Sequence, residues 1–270
     1  MRRPYVIAEI GSNHDGELTR AHSLIALAQD SGADAVKFQY FTADSLVSRR
    51  GLPDSALATL RQNQMPAAWL PWLAADAAER GLGFIVSTFD PKDVELVNRY
   101  TDIHKVASFE LLDNELLREI EGTGKQVILS TGMADNPEIH HAVDMFPSYQ
   151  MFALLHCVSS YPAPVGEANV RAVKTLKREY PHLRIGLSDH TIGPTAAIVA
   201  VTLGAAVIEK HFDDDNDREG PDHGPFAMEA REFTWMAKSL HEVPAVLART
   251  GNLGSEDAEQ SVMPYRVRRP

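Results

Sequence analysis

The sequence predicts a single-domain α/β protein, a (β/α)8 barrel, on three observations. Eight short apolar runs recur along 270 residues, each ending in a polar or charged residue. Stretches with helical apolar spacing lie between them, as parallel strands joined by right-handed crossovers require. The length is close to the roughly 250 residues such barrels use, so the eight units consume the chain.

The elements follow in order. YVIAEIG from Tyr5 is the first strand, and residues 18–31 read as an amphipathic helix. AVKFQY from Ala35 is the second strand. The connection at 41–65 is longer than most and reads as a substrate loop. A helix at 67–80 follows, with Trp69 and Trp72 expected to pack against the barrel. GFIVSTF from Gly83 precedes a helix at 91–99, and IHKVAS from Ile103 precedes one at 114–121. QVILSTG from Gln126 leads to 137–145, and MFALLHCV from Met151 leads to 167–179. RIGLSDH from Arg184 leads to 194–203. AVIEKHF from Ala206 is the last strand, followed by a second long connection at 213–228 and a helix at 229–247. Pro91, Pro137 and Pro194 fall in expected first helical turns, where a missing N–H costs nothing. Gly32, Gly81, Gly124 and Gly204 fall where left-handed caps are favoured. The barrel is placed at 1–250, and 251–270 reads as a polar tail carrying Arg266, Arg268 and Arg269.

Composition narrows the function. A net charge of −11 argues against a nucleic-acid partner, because phosphate backbones are held by clustered Lys and Arg. The one cysteine, Cys157, lies in an apolar strand and reads as a small buried hydrophobe in a reducing cytoplasm. No signal-peptide pattern precedes the first strand. No apolar run approaches the roughly 20 residues that span a bilayer.

Catalytic groups in such barrels sit at the C-terminal ends of the strands. Those ends carry Glu9, Lys37, Gln39, Thr88, Lys105, Ser108, Ser130, Ser159, Ser188, His190, Lys210 and His211. Lysines, hydroxyls, imidazoles and a carboxylate together suit a metal ion and a phosphorylated substrate. His190 and His211 end neighbouring strands, flanked by Asp189 and Lys210, and form a candidate divalent-metal site. Glu9 is a third ligand or a general base, and Asp222 and His223 reach the same space from the last loop. Lys37 and Lys105 are flanked by apolar residues. A buried ammonium needs an anion, which is either a substrate or a carboxylate such as Glu9 or Glu110. Ser108, Ser130 and Ser188 add donors to a phosphate or carboxylate cradle. His140 and His141 read as surface residues, and the acidic run from Asp213 as a solvated loop.

IAEIGSNHDG, ADAVKFQ, KVASFEL, VILSTGMA, LLHCVSSYPAP, GLSDHT, VIEKHF and GPDH occur in that order from about residue 5 to about residue 247. The series resembles the motifs of N-acetylneuraminate (sialic acid) synthases and their legionaminate and pseudaminate relatives. The resemblance implies an enzyme that condenses phosphoenolpyruvate with an N-acylated hexosamine aldehyde and releases phosphate by C–O cleavage. It implies His190 and His211 as ligands of Mn2+, with Mg2+ or Co2+ as alternatives. It implies Lys37, Lys105, Ser108, Ser130 and Ser188 as the phosphoenolpyruvate clamp. Glu9, Gln39, Glu110, Tyr161 and Asp222 become the sugar and catalytic shell, with Thr88 and Ser159 beside them. Glu9, Lys105 and His190 are the expected catalytic groups.

The resemblance also implies a homodimer in which a C-terminal antifreeze-like domain reaches the partner's site with an arginine. The sequence at hand stops about where the linker to that domain begins, and a separate polypeptide supplying that lid stands as one alternative. Local departures are Ser87-Thr88-Phe89-Asp90-Pro91, Ala107-Ser108-Phe109 and Ser159-Ser160, all on the acceptor side. Two rivals remain: a metal-dependent aldolase or isomerase of a phosphorylated sugar, and a non-catalytic binding barrel.

Overall fold

A computed structural model describes residues 2–215, 217–248 and 257–266. Among them, β1 (Tyr5–Gly11), β2 (Ala35–Tyr40), β3 (Gly83–Thr88), β4 (Ile103–Val106), β5 (Gln126–Ser130), β6 (Met151–Cys157), β7 (Ile185–Asp189) and β8 (Val207–Asp213) pair in parallel in chain order. Pairing of β1 with β8 closes the barrel, with Glu9 beside both Lys37 and His211. The outer helices are α1 (Leu18–Asp30), α4 (Leu70–Glu79), α5 (Val94–Asn98), α6 (Asn114–Gly122), α7 (Asn136–Asp144), α8 (Ala172–Glu179), α9 (Thr195–Thr202) and α10 (Ala230–Val246). The long connection after β2 holds two more, α2 (Ala43–Arg50) and α3 (Leu57–Asn63).

Each expected strand is present. The expected helix at 91–99 opens with a 3-10 turn, and that at 167–179 becomes helical only from Ala172. Residues 41–65, expected as a loop, are largely helical. Asp44 in the first turn of α2 and Arg49 and Arg50 in its last complement the helix dipole. Gly51 then ends α2 in the left-handed conformation, with φ 63°. Pro137 enters the first turn of α7 behind an Asp135–Glu138 capping box, whereas Pro194 stands one step earlier, as the N-cap of α9. Trp69 packs edge-on against His14, but Trp72 is exposed instead of packed on the barrel. Two residues of the last loop form β9 (Met228–Glu229), which pairs with the end of β8. The polar tail lies largely outside the described residues; Asp257–Glu259 and Met263–Tyr265 are single 3-10 turns. Among the described residues no helix is long and apolar enough to cross a membrane.

Side chains alternate across a strand, so each strand feeds two cores. Outward residues such as Val36, Phe38, Val86 and Leu129 pack under the helices in the larger cluster. Inward residues Ile7, Ala35, Ile85, Ile128, Leu155 and Val207 plug the barrel interior. Gly186 faces that plug. A Cβ there would lie 2.3 Å from the Val207 carbonyl oxygen and 2.5 Å from Leu155 Cδ2, so the strands close only around glycine. Gly186→Ala is expected to lower stability by about 1–3 kcal/mol, the range for overpacking, read from the denaturant midpoint.

His104 faces outward on β4, fully buried, with Nε2 3.2 Å from Asn98 Oδ1 and Nδ1 without a partner. Burial, reinforced by Lys125, pushes its pKa down to about 4. The unfolded chain titrates near 6.5, so between those values only the unfolded state takes the proton and stability falls as pH drops. His104→Leu is expected to flatten the fall between pH 6.5 and 4 by up to one proton. An unchanged slope would exclude His104 as its source.

Candidate active site

Two residues further along the strands the interior turns polar, with charged groups on β1, β2, β4 and β8. Lys37 Nζ lies 2.8 Å from Glu9 Oε2 and 3.6 Å from Glu209 Oε1, and donates to Ser87 Oγ at 3.2 Å. Lys105 Nζ donates to Ser130 Oγ at 2.8 Å and to the Val106 carbonyl at 3.1 Å, with Glu209 4.0 Å away. Ser188 Oγ donates to Glu209 Oε1 at 3.2 Å. All these groups are buried. Burial opposes both ammonium groups; the nearby carboxylates more than compensate at Lys37, whereas burial prevails at Lys105. Burial pushes Glu9 up to about 7 against the pull of Lys37. Burial also disfavours the Glu209 carboxylate, but Lys105 and Lys37 hold it below its ordinary value. Of the two partners considered for Lys37, the structure supplies the carboxylate, Glu9.

Above this layer a cavity of about 200 Å³ opens at the strand C-termini. Gln39, Ser108, Tyr161, His190, His211 and Asp222 line it together with Glu9, Lys37, Lys105, Ser130 and Ser188. Asp222 arrives from the loop after β8. Its Oδ2 accepts from the Ser12 amide at 2.8 Å and the Ser12 hydroxyl at 2.6 Å. Gly11, at φ +57°, makes room, because a Cβ there would sit 2.6 Å from Asp222 Oδ2. Gln39 Nε2 bridges Glu9 Oε1 at 2.9 Å and Asp222 at 3.2 Å, holding two carboxylates side by side.

His211 Nδ1 lies 3.6 Å from Asp222 Oδ1 and has no hydrogen-bond partner although it is buried. Burial pushes the imidazole down to about 3 despite Asp222, so it is neutral and carries a free lone pair. Ligand atoms of Glu9, His211 and Asp222 all lie within 4.8 Å of one another. Two carboxylates and a neutral imidazole with an orphaned nitrogen fit a divalent cation such as Mn2+ or Mg2+. His190, paired with His211 in the sequence reading, stands outside this group. Its ring centroid is 5.4 Å from that of His211, and Tyr161 stacks over it at 4.1 Å. His190 Nδ1 donates to the Val158 carbonyl at 2.8 Å. Burial disfavours its imidazolium, but Cys157 and that carbonyl raise its pKa above the ordinary value.

Other expected residues fall elsewhere. Thr88 is buried but off the cavity wall; alternation puts Ser87 there instead. Lys210 also faces outward, paired with Asp189 at 3.1 Å and donating to the Thr191 carbonyl. Glu110 and Ser159 lie behind the wall, Glu110 bonded to Arg50 and Ser159 against Ser108 and Gly132. Cys157, expected as an inert hydrophobe, lines the cavity with Sγ 3.8 Å from His190 Nδ1. Asp213, expected in a solvated loop, is fully buried and paired with Arg20 at 2.7 Å. His140 and His141 are exposed, as expected.

Sequence reasoning missed Glu209, Ser87, Ser12 and Arg50 as lining groups. The period-two pattern of VIEKHF could have revealed Glu209, because it shares a face with His211. Nothing local marked Ser12 or Arg50.

A closed parallel barrel with buried charge at its C-terminal mouth defines a barrel enzyme. The NeuB family model matches residues 24–251. N,N'-diacetyllegionaminic acid synthase from Campylobacter jejuni is 33% identical, over 97% of this chain and 83% of that protein. Pseudaminic acid synthase from the same organism is 32% identical, over 98% and 80%. The crystal structure of N-acetylneuraminic acid (sialic acid) synthetase from Leptospira borgpetersenii, in complex with citrate, aligns with a TM-score of 0.87 at 32% identity, over 98% and 92%. The chain belongs to the NeuB family and is an enzyme of the condensing-synthase class.

Asp222→Asn is expected to weaken Mn2+ binding at least tenfold, read from the signal of free Mn2+ in electron paramagnetic resonance titrations. Unchanged binding would exclude the Glu9–His211–Asp222 group as the cation site.

Proposed function

We propose that the chain joins phosphoenolpyruvate to the aldehyde of an N-acyl hexosamine, giving a 2-keto-3-deoxy sugar acid and inorganic phosphate. One observation carries this reading: a single cavity unites an anion cradle with a cation-binding group. Lys105, with Ser130, Ser188 and Ser108 nearby, forms the cradle, and Glu9, His211 and Asp222 form the other half. Charge balance supports it. The cavity wall carries Lys37, Lys105 and Arg50 against Glu9, Glu209 and Asp222, and Arg50 is also paired with Glu110 behind the wall. A multiply charged anion gains little from a wall without net positive charge, so a divalent cation beside the cradle suits such a substrate. The names of the relatives, synthases of legionaminic, pseudaminic and sialic acids, support a sugar acid as product.

In this reading Lys37, Lys105 and the serine hydroxyls hold the carboxylate and phosphate of phosphoenolpyruvate. Its C3 then meets the acceptor aldehyde at fixed orientation, which supplies much of the rate. C3 bonds to the aldehyde carbon, water adds at C2, and the C2–O bond breaks to release phosphate. Glu9, hydrogen-bonded to Gln39 and paired with Lys37, positions an acceptor hydroxyl or moves a proton. A divalent cation, Mn2+ in this reading, would be held by Glu9, His211 and Asp222 with His190 alongside, and supplies Lewis-acid polarisation of an oxygen.

The test is phosphate release from phosphoenolpyruvate with Mn2+ and N-acetylmannosamine. Wild-type protein is expected to release phosphate only when acceptor and metal are both present. Lys105→Ala is expected to lose about a hundredfold or more, as when a preorganised donor to developing charge is removed. Unchanged turnover in Lys105→Ala would overturn the assignment.

A further inference from the structure

Behind the cavity wall, the loop after β8 meets the turn after β1 through residues that take no part in the site described above. His223 is the centre of that contact, and its side chain is only 1% exposed. Nε2 lies 2.7 Å from Asp15 Oδ1, and Nδ1 is bonded to Asp213 Oδ2. The ring therefore joins three stretches of chain: the turn at Asp15, the end of β8 at Asp213, and the loop to which His223 itself belongs. Arg20, from α1, holds the other Asp213 oxygen at 2.7 Å and Asp214 at 2.9 Å. Asn13 Nδ2 donates to the Phe212 carbonyl at 3.1 Å and to the Asp222 carbonyl at 3.2 Å. The ring lies here only beside glycine: a Cβ on Gly220 would sit 2.5 Å from His223 Cδ2. Pro221, next in the chain, narrows the backbone leading into Asp222.

This inference rests on the reading of Glu9, His211 and Asp222 as the cation site. We propose that His223 is the positioning residue of that site, its strap to Asp15 setting the Asp222 carboxylate in place before a divalent cation arrives. Charge explains why a strap is needed. Gln39 Nε2 bridges Glu9 and Asp222, so two carboxylates stand side by side and each disfavours the other's charge. Glu9 is fixed in β1, whereas Asp222 sits in a loop outside the sheet, so the loop is the part that repulsion displaces. The Ser12 bonds hold the Asp222 side chain, but they leave the loop itself untied. His223 ties it from the side away from the cavity. It is the next residue in the chain, and its anchor at Asp15 belongs to the turn between β1 and α1. A ligand whose neighbours are already fixed loses less freedom on binding, which is how groups behind a metal site tune its affinity.

The experiment is titration of Mn2+ alone into wild-type and variant protein, followed by electron paramagnetic resonance. His223→Asn keeps the contact with Asp213 but falls short of Asp15. It is expected to bind Mn2+ about tenfold more weakly, the lower end of the loss when support behind a metal ligand is removed. Asp15→Gly breaks the strap from its other end and is the second variant should His223→Asn fail to fold. Glycine accepts the φ of +53° at this position without strain, and the loss is expected to be similar. A double variant tests whether His223 acts through Asp222: added to Asp222→Asn, His223→Asn is expected to cost less than a further twofold. Phosphoenolpyruvate affinity, measured by calorimetry in chelator, is expected to stay within twofold throughout, because the strap does not touch Lys105 or the serines. Unchanged Mn2+ affinity in both strap variants, losses that multiply in the double variant, or a parallel loss of phosphoenolpyruvate affinity would overturn the proposal. Failure of the cation-site reading is distinguishable, since Asp222→Asn alone then leaves Mn2+ binding unchanged and the proposal falls with it. Weakened binding in Asp222→Asn but in neither strap variant sinks only the role of His223. No arm requires turnover, so a failure of the synthase reaction, seen as absent phosphate release, leaves this result standing.

Discussion

Charge placed inside a closed barrel has to be balanced inside it, and the organisation of this molecule follows from that constraint. Lys37 and Lys105 are buried on β2 and β4, where an unpaired ammonium would be far too costly to hold. Glu9 and Glu209, reaching in from β1 and β8, provide the counter-charge. Glu9 meets Lys37 through the β1–β2 pair, whereas Glu209 comes from the far end of the sequence, so its share of the balance exists only once β8 closes against β1. Removing one partner of such a pair typically costs about 3–5 kcal/mol, because the other charge is then stranded. The charged layer is thus also a condition of closure.

Below this layer the barrel is apolar; above it lies the cavity. The same inward face of each strand supplies Ile7 then Glu9, Ala35 then Lys37, and Val207 then Glu209 and His211. The plug keeps water away from the underside of the charged layer, which strengthens every interaction there. The outward face does a different job with residues that look similar in one dimension. Lys210, between Glu209 and His211, turns out of the barrel and pairs with Asp189 beneath the helices.

Loops complete what the strands cannot reach. The segment after β8 turns back over the mouth because its acidic residues find buried partners. Arg20 binds Asp213 at 2.7 Å and also the Asn13 carbonyl at 2.6 Å. His223 is held between Asp213 and Asp15. These contacts tie the loop to the start of α1 and leave Asp222, the residue before His223, against Ser12 and Gln39. On the opposite rim α2 brings Arg50 between two phenyl rings. One rim therefore presents carboxylates near an imidazole, and the other an apolar wall with a single fixed fork.

By itself the sequence determined the eight strands, the alternation with helices and most of the polar groups of the cavity lining. These are local or short-period signals: apolar runs of four to seven residues, prolines and glycines at element ends, and polar residues where each strand stops. The resemblance in IAEIGSNHDG, GLSDHT and VIEKHF added the family. Tertiary structure decided the rest, because it depended on direction and on closure. Which of Ser87 and Thr88, or of Glu209 and Lys210, faces inward is set by the register of neighbouring strands, and a one-residue step reverses it. Which carboxylates stand beside His211 depends on β1 meeting β8 and on a loop returning from residue 213. Arg50 entered the site because a segment that reads as a loop coils into a helix, and the last turn of that helix lies over the mouth.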